Sequence, residues 1–361
     1  MVMHFKPEQR GSEGLPIIRI QDLTGNAYDL GYYNGDYPKK VELNDGDVLI
    51  SWSASLGVYL WNHGKALLNQ HIFKVVFDKV EIDKFYFMYA VEYNLDKMSL
   101  KTHGATMKHI TKKDFDNVVI PYPDLDYQKE VAYRLTSLKG IIEKYQKQLD
   151  LLDELVKARF VEMFGDLRIN DKGWKYYKLD ELTELITDGE HATPKRTTQG
   201  IYLLSARNVL NHQLSLEDVD FIDCDEFDRI SRRIIPKEGD VLISCSGSIG
   251  RCCIVPKNIK FQMVRSIALL RFKSNINPVF AEYMITSDYL QNQINKSKTA
   301  SSQANLFQGK IKSLKGVVPP LELQNQFASF VQEIDKSRSR IQKSLEASQE
   351  LFDSLMQEYF G

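Results

Sequence analysis

The sequence predicts an α+β protein with two tandem globular domains, each followed by a long α-helix. The segment GDVLISWSASLG begins at Gly46, and the closely similar GDVLISCSGSIG begins at Gly239. A second region repeats without a gap, because residues 123–165 align with residues 319–361. Solenoid repeats have periods of only about 20–50 residues. Duplication of a whole domain together with its helix therefore explains both repeats.

Length and composition are those of a globular protein. The chain has 361 residues, enough for about two or three domains that each bury a core. It is 43% hydrophobic and 26% charged, as soluble globular proteins are. Neither a secretory signal nor an apolar run of membrane-spanning length is visible. We expect a cytoplasmic protein that does not associate with a membrane.

Hydrophobic patterns between the repeats divide the chain into four segments. Short strands are expected at 48–50, 201–204, 241–243 and 267–270, and helices at 85–93 and 278–294. In the helix at 278–294, Asn277 is expected to cap the start and Pro278 to occupy the first turn. The predicted segments are a globular domain at 1–119, a helix at 120–165, a second globular domain at 166–317 and a second helix at 318–361.

Each long helix carries an apolar seam. Prolines precede both helices, and neither 128–164 nor 324–360 contains one. The seam of the first helix consists of Val131, Leu135, Leu138, Ile142, Tyr145, Leu149, Leu152 and Val156. The seam of the second consists of Phe327, Val331, Ile334, Ile341, Leu345 and Phe352, interrupted by Arg338 and Ser348. Alternating spacings of four and three residues predict a coiled coil, in which the simplest partner of each helix is the other. An ordinary core helix is the alternative.

Cysteine spacing and catalytic motifs give no sign of an enzyme. Cys224, Cys245, Cys252 and Cys253 lack metal-ligand spacing, so we expect buried, reduced thiols and no metal site. The loops SASLG and SGSIG lack the first glycine of a nucleophile elbow, and no phosphate-binding loop is present. Asn277-Pro278-Val279-Phe280 lacks the second proline of an adenine methyltransferase motif. No catalytic or cofactor-binding residue is predicted.

Net charge does not indicate nucleic-acid binding, but local charge does. The whole chain carries a charge of −1, and the second globular domain has 22 Lys and Arg against 18 Asp and Glu. From Tyr289 through Leu321 there are five lysines and no acid. Lysines neutralise phosphates, and Gln or Asn can pair with adenine edges in the major groove. A solvated loop would also explain this composition.

The candidate DNA-binding residues fall in both domains. In the first domain they are Lys101, His103, Thr106, Lys108 and Lys112. In the second they are Lys195, Arg196, Arg207, Arg251, Lys296, Lys298, Ser302, Gln303, Asn305, Lys310 and Lys312. Several of these side chains could equally be ordinary surface charges.

The chain closely resembles the specificity subunit of type I restriction-modification enzymes. Each half has a GDVLIS segment, a proline-led start with a Gln and an Ala, and a long helix that ends in Phe-Gly. The Gln and Ala are Gln128 and Ala132 in the first half and Gln324 and Ala328 in the second. The segment GWKYYKLDEL, at residues 173–182, resembles the usual start of a recognition domain in this family.

The resemblance implies a fold, partners and a division of labour. The two helices would pack antiparallel as a spacer, in a pseudo-two-fold arrangement, and each target-recognition domain would read one half of a split double-stranded DNA target. Two modification subunits would methylate adenine with S-adenosylmethionine, and restriction subunits would use ATP and Mg for translocation and cleavage. This chain would itself hold no cofactor.

Two other functional classes and one departure from the family pattern remain open. The chain could be a stand-alone methyltransferase or endonuclease, although the motifs are absent, or a coiled-coil adaptor that does not bind DNA. The departure concerns the opening strand and helix of the second domain, near residues 173–190, which have no counterpart before 4–7. We expect the first domain to be the less stable of the two.

Overall fold

A computed structural model describes residues 5, 10–25, 31–52, 55–101, 115, 117–296 and 305–361. It divides into two compact units: unit 1 comprises 1–147 and 342–361, and unit 2 comprises 148–341. Each unit therefore contains one globular domain and portions of both long helices. Both units combine mixed sheets with helices, so the predicted α+β class is confirmed.

The described residues of unit 1 form two sheets. One has four strands, in which Leu15–Ile18 lies parallel to Ala66–Leu68 and antiparallel to Gly31–Tyr33. The other is antiparallel and has three strands, with the GDVLIS strand Val48–Ser51 in the centre. The described strands are Leu15–Ile18, Gly31–Tyr33, Glu42–Leu43, Val48–Ser51, Gly57–Leu60, Ala66–Leu68 and Ile72–Lys74.

Unit 2 repeats this plan with additional strands. As Leu15–Ile18 does in unit 1, Ile201–Leu204 lies between a parallel strand, Phe261–Met263, and an antiparallel strand, Asp220–Ile222. The GDVLIS sheet has four strands here, because Thr183–Asp188 pairs with the outer edge of Ile267–Phe272. The described strands are Tyr176–Lys178, Thr183–Asp188, Ile201–Leu204, Val209–Leu210, Gln213–Leu214, Asp220–Ile222, Val241–Ser244, Cys252–Ile254, Phe261–Met263, Ile267–Phe272 and Lys315–Val317.

The short helices agree with the predicted ones, with one correction. Asn277 caps the helix after the GDVLIS sheet, since its Oδ1 accepts from the N–H of Val279 at 2.9 Å, and Pro278 lies in the first turn. The prediction of a single helix at 278–294 is wrong. The backbone leaves the helical region at Ser287, so this segment forms two helices. The described helices outside the long pair are Ile20–Leu23, Lys39–Val41, Lys84–Lys101, Leu179–Leu182, Ala206–Asn208, Cys224–Ser231, Pro278–Thr286, Asp288–Lys296 and Gln308–Ser313.

The two long helices span Leu125–Phe164 and Leu321–Phe360, each 40 residues. At 1.5 Å per residue each is about 60 Å long. Both begin inside the predicted helical segments 120–165 and 318–361, three residues before Gln128 and Gln324; in the first, Asp124 accepts from the N–H of Tyr127. Every predicted seam position is buried or half-buried, from Val131 to Val156 in the first helix and from Phe327 to Phe352 in the second. The sequence therefore identified the packed face of each helix.

Within each unit the long helices pack with opposite polarity. In unit 1 the start of the first helix contacts the end of the second, through a cluster that includes Val131, Leu135, Met356 and Phe360. In unit 2 the end of the first helix meets the start of the second: the rings of Phe160 and Phe327 lie 5.4 Å apart. Both contacts are those of an antiparallel pair.

The repeated Phe-Gly ends the helix inside a core. Phe164 is fully buried, and its ring lies 4.7 Å from Phe280, on the first helix after the GDVLIS sheet. Phe360 is packed in the same way against Tyr86. Gly165 has a φ of 78°, a left-handed conformation that glycine adopts readily at the end of a helix. The motif therefore attaches the end of each long helix to a globular domain.

The repeated Gln attaches the start of each long helix in the same way. The side-chain oxygen of Gln128 accepts from the N–H of Asp83, and its amide donates to the carbonyl of Pro123. Gln324 makes the corresponding bonds to Asn277 and Pro319. Both glutamines are buried. Their recurrence is thus explained by packing and not by ligand binding.

Three of the four thiols are buried as expected, but the expectation that Cys224 is buried is wrong. Cys245, Cys252 and Cys253 lie in the unit 2 core, where burial raises the pKa of the Cys245 thiol to about 12. Cys224 is exposed because it occupies the first turn of a short surface helix. In the described part of the chain, no helix is both long and apolar enough to cross a membrane.

Candidate nucleic-acid interface

Five loop segments of unit 2 meet where strands of its three-stranded and four-stranded sheets end. Because Ile201–Leu204 and Phe261–Met263 are parallel, their carboxyl ends lie at one edge. The strand Val241–Ser244 ends beside them, and Ile267–Phe272 starts there. We call this surface the polar edge of unit 2. It consists of residues 188–191, 205–207, 244–251, 264–266 and 305–306.

Hydrogen bonds hold these segments together. The N–H of Cys245 donates to the carbonyl of Ser266 at 2.7 Å, and the N–H of Ala206 donates to the Ser266 hydroxyl at 3.0 Å. The N–H of Arg265 donates to the carbonyl of Glu190 at 3.0 Å. Ser246 forms an isolated β-bridge with Asn305. The turn 264–266 is therefore anchored to three neighbouring segments.

Gly189 permits the close approach of one of these segments. A Cβ atom at Gly189 would lie 2.3 Å from the carbonyl oxygen of Met263 and 2.5 Å from Val264. Contacts this short with backbone atoms force the backbone to move. Glycine is therefore required for the strand Thr183–Asp188 to end directly beside the turn that carries Arg265.

Most acidic groups on this edge already have cationic partners. Asp188 Oδ1 lies 2.7 Å from Arg233 Nη2, and Asp188 Oδ2 lies 2.7 Å from His191 Nε2. Partial burial raises the pKa of Asp188, but the hydrogen bond from Arg233 and the proximity of His191 outweigh it, so the pKa is lowered. Glu190 accepts from the N–H of Ala192 and lies 3.8 Å from Arg229. The carboxylates therefore contribute little free negative charge.

Arg265 differs from Arg207 on this edge. It is exposed at the centre of the turn 264–266. Its guanidinium makes no hydrogen bond or ion pair with any residue that the structure describes. Arg207, in contrast, pairs with Asp218 and Asp220. Arg265 is consequently well placed to pair with a ligand.

The GDVLIS repeat forms the scaffold next to this turn. Gly239 has a φ of 83° and Gly46 a φ of 88°, so both copies begin with a turn that requires a left-handed residue. The hydroxyl of Ser244 donates to the carbonyl of Ser248, and the hydroxyl of Ser51 donates to that of Ser55. The final serine of each GDVLIS copy thus fixes the small-residue loop that follows it. The repeated segment is therefore a duplicated strand-to-loop element.

Unit 1 has an equivalent edge, formed by the described residues 19–20, 51–52, 55–57 and 69–71. The N–H of Asn69 donates to the carbonyl of Ile18, as the N–H of Val264 donates to the carbonyl of Leu204 in unit 2. Likewise, the N–H of Trp52 donates to the carbonyl of His71, as that of Cys245 donates to the carbonyl of Ser266. Gln70 therefore occupies the position of Arg265. His71 adopts a φ of 72°, which is uncommon for a residue other than glycine. We call this surface the polar edge of unit 1.

The structure distributes the predicted residues of the second domain unequally. Arg251 and Asn305 lie on the polar edge, and Arg207 lies there in ion pairs with two acids. Arg196 shares Asp220 with Arg207, and Lys312 lies 3.4 Å from Asp180. Lys195, Lys296 and Lys310 are exposed. Their role in DNA binding stays a prediction for all of these residues.

The remaining predicted residues lie outside what the structure describes. These are His103, Thr106 and Lys108 with Lys112 in the first domain, and Lys298, Ser302 and Gln303 in the second. Lys101 ends a described helix, but its side chain is not among those described.

Sequence reasoning missed Arg265 and Gln70. Both lie between two apolar strands, where one polar residue resembles any other turn residue. Continuing the register of the GDVLIS repeat would pair Gln70 with Met263. A shift of two residues, which the hydrogen bonds of Asn69 and Val264 to the parallel strands reveal, pairs Gln70 with Arg265. A duplicated fold that retains its core but varies an exposed polar position indicates a site of differing specificity.

Comparison with protein families assigns the chain. The family model for the type I restriction modification DNA specificity domain matches residues 3–152 and again residues 171–349. The chain belongs to this family. The two matches coincide with the two halves of the internal repeat, so each half is one specificity domain.

Curated relatives of this specificity family agree over most of the chain. The EcoBI specificity subunit of Escherichia coli is 24% identical, over 92% of this chain and 76% of the relative. The MjaVIII specificity subunit of Methanocaldococcus jannaschii is 22% identical, over 85% of this chain and 78% of the relative. Similarity that extends across both halves supports the same domain order throughout.

Solved structures show the same fold. The S subunit of a type I restriction-modification system from M. genitalium matches with a TM-score of 0.58 at 13% identity, covering 100% of this chain and 92% of that one. A second structure, described as that of a type I R-M system, matches with a TM-score of 0.52 over 88% of this chain and 82% of that one, also at 13% identity. These likenesses show the fold, and the match of the family model confirms the predicted membership of the specificity family.

Proposed function

We propose that this specificity subunit binds double-stranded DNA through the polar edge of each unit, and that each edge reads one half of a bipartite target. The observation that carries the proposal is the recurrence of one edge in both halves of a DNA specificity protein, where the bonds donated by Asn69 and Trp52 correspond to those donated by Val264 and Cys245. Two copies of one reader suit a target with two separate halves.

The chemistry of the polar edge supports base reading. Exposed arginine and amide side chains are the groups that recognise base edges in the major groove. Exposed lysines of unit 2, including Lys296 and Lys310, are suited to phosphates, whose neutralisation supplies affinity without sequence preference. Unit 2 therefore combines the two kinds of contact that a sequence-specific DNA binder needs.

The long helices would set the gap between the two half-targets and dock partner subunits. A continuous helix of 40 residues is a stiff element whose length changes by about 1.5 Å per residue. The partners would be two modification subunits that methylate adenine with S-adenosylmethionine, and restriction subunits that use ATP and Mg. This chain would supply recognition without catalysis, in the cytoplasm.

The test is to co-express the chain with adenine methyltransferase partner subunits and to map the methylated adenines in a random DNA library. The expected motif has two short specified halves separated by a fixed unspecified gap. A continuous motif would contradict the proposal, as would a wild-type complex that methylates no defined sequence.

The same preparation separates the alternative functions. The purified chain alone, incubated with DNA and S-adenosylmethionine or Mg, should leave the DNA unmodified and uncut. Modification by the isolated chain would favour a stand-alone enzyme. If the chain assembles with the partner subunits but does not change which sites they methylate, the result would favour an adaptor.

A further inference from the structure

The two polar edges share a backbone plan, and the middle of the turns 69–71 and 264–266 is one of the positions at which their side chains differ. Gln70 and Arg265 each occupy the middle of the turn that follows the parallel strand, Ala66–Leu68 in unit 1 and Phe261–Met263 in unit 2. The residue before each donates its N–H to a carbonyl of the neighbouring parallel strand. Asn69 donates to Ile18 at 3.1 Å, and Val264 donates to Leu204 at 3.0 Å. The two side chains therefore leave the backbone from corresponding places.

Both side chains are available to a ligand. Gln70 is half-exposed, and its amide forms no hydrogen bond with a described residue. Arg265 is exposed and has no partner among the residues whose placement is described. The residues on either side of Arg265 are half-buried, so the turn is attached to the domain while its central side chain faces outward.

The backbone around each turn is fixed before any ligand binds. In unit 2 the carbonyl of Ser266 accepts from Cys245, and the N–H of Arg265 donates to Glu190. In unit 1 the carbonyl of His71 accepts from Trp52. A side chain on an anchored turn loses less conformational freedom on binding than one on an unattached loop, which favours specific contacts.

The two side chains match different bases. The guanidinium of arginine donates two parallel hydrogen bonds to O6 and N7 of guanine, whereas the glutamine amide accepts from the N6 amino group of adenine through its oxygen and donates to N7 through its nitrogen. We propose that Arg265 reads a guanine in one half of the target and that Gln70 reads an adenine at the corresponding place in the other half. This assignment rests on the proposed function and adds the bases that each edge selects.

The decisive experiment exchanges the two side chains in the assembled methyltransferase. Arg265→Gln and Gln70→Arg are prepared separately, and the methylated motif of each complex is mapped by sequencing a random library. Each variant should change the preference at one base pair in one half-site only. The expected loss of discrimination there is about 5- to 150-fold, with the other positions unchanged.

Two further variants separate base reading from charge and from folding. Arg265→Lys keeps the charge but loses the planar fork, so it should lose discrimination at the same base pair while remaining bound to DNA. Lys257→Gln is the matched control, since Lys257 is exposed and follows the opposite end of the GDVLIS sheet. It should leave the motif unchanged. Thermal unfolding of each variant checks that the domain remains folded.

The outcomes distinguish this inference from the proposed function. If the wild-type complex yields no bipartite motif, the proposed function fails. If the wild type yields such a motif and Arg265→Gln reproduces it, or weakens all positions equally, the base assignment for Arg265 is overturned. The same criterion applies to Gln70→Arg in the other half-site.

Discussion

At the scale of single residues, Gln324 is the clearest case of a buried polar group with a structural role. Its side chain satisfies the N–H of Asn277 and the carbonyl of Pro319 at once. Substitution by alanine leaves both backbone groups without a partner inside the protein, which costs about 1–3 kcal/mol for each unsatisfied group. We expect Gln324→Ala to lower the free energy of unfolding by at least about 1 kcal/mol, measured by urea denaturation.

The control for this variant lies two residues away. Gln326 is exposed and makes a long hydrogen bond to Glu322, so Gln326→Ala should change stability by less than about 0.5 kcal/mol. Equal effects of the two substitutions would show that the buried hydrogen bonds of Gln324 contribute nothing beyond helix propensity.

Glu226 should make the stability of unit 2 depend on pH. Hydrogen bonds from Arg229, together with that from the backbone of Lys195, lower the pKa of Glu226 from 4.5 to about 2. Because the pKa in the folded state is depressed, the stabilisation is fully present above about pH 4.5. It is lost as the pH falls from there towards about 2.

The measurement compares the wild type with Glu226→Gln by chemical denaturation across this range. At pH 7 the variant should be less stable by roughly 1.5–3 kcal/mol, since charge-assisted hydrogen bonds are lost. The difference should shrink steadily below about pH 4.5. A difference that stays constant from pH 7 to pH 3 would mean that the Glu226 charge does not contribute to folding.

At the scale of elements, Arg338 explains one interruption of the apolar seam. Its guanidinium lies 2.6 Å from Asp153 on the first long helix, within unit 2. Both side chains are partly exposed, so the pair is worth only about 0–1 kcal/mol. Arg338→Leu should therefore leave the thermal midpoint unchanged or raise it, because leucine restores the seam. Arg338→Glu should lower the midpoint by placing like charges beside Asp153 and Asp335.

Together the two substitutions test whether position 338 belongs to the packed face. If Arg338→Leu costs more than about 1 kcal/mol, the ion pair is more important than the seam. If Arg338→Glu has no effect, the helices do not approach each other closely at this point.

The sequence predicted the elements that are defined by periodicity. The seam from Val131 to Val156 and the strand Val241–Ser244 follow from spacing and side-chain type alone. It did not predict the break at Ser287, because residues 278–294 have a continuous helical pattern, and tertiary packing determines where the chain turns. The exposure of Cys224 was missed for a similar reason, since composition cannot tell a buried thiol from one in the first turn of a surface helix.

The candidate site was harder to predict than the fold. The basic segment 289–321 indicated Lys310, and Arg207 was a separate candidate. Lys310 is a single exposed lysine, and Arg207 is already paired with acids. Arg265 has no basic neighbour in sequence, and only the packing of five separate segments brings it to the polar edge. Recognition surfaces formed by strand ends are long-range features, which local composition does not reveal.

At the scale of the whole molecule, duplication has produced two domains with the same plan but different support. In unit 2 the strand Thr183–Asp188 covers the edge of Ile267–Phe272 and completes a four-stranded sheet. In unit 1 the equivalent strand Ile72–Lys74 pairs on one side only, among the residues that the structure describes. An uncovered strand retains unpaired backbone groups and opens more readily. The predicted difference in stability follows from this asymmetry.

Hydrogen exchange can test this difference with an internal control. The strands Val48–Ser51 and Val241–Ser244 have the same sequence, VLIS, and each is preceded by Gly-Asp, so their intrinsic exchange rates are nearly equal. Both strands are buried within their sheets. Any difference in protection therefore reports the stability of the surrounding unit. We expect Val48–Ser51 to exchange at least about tenfold faster, which corresponds to about 1.4 kcal/mol. Equal protection would mean that the fourth strand adds no stability to the sheet in unit 2.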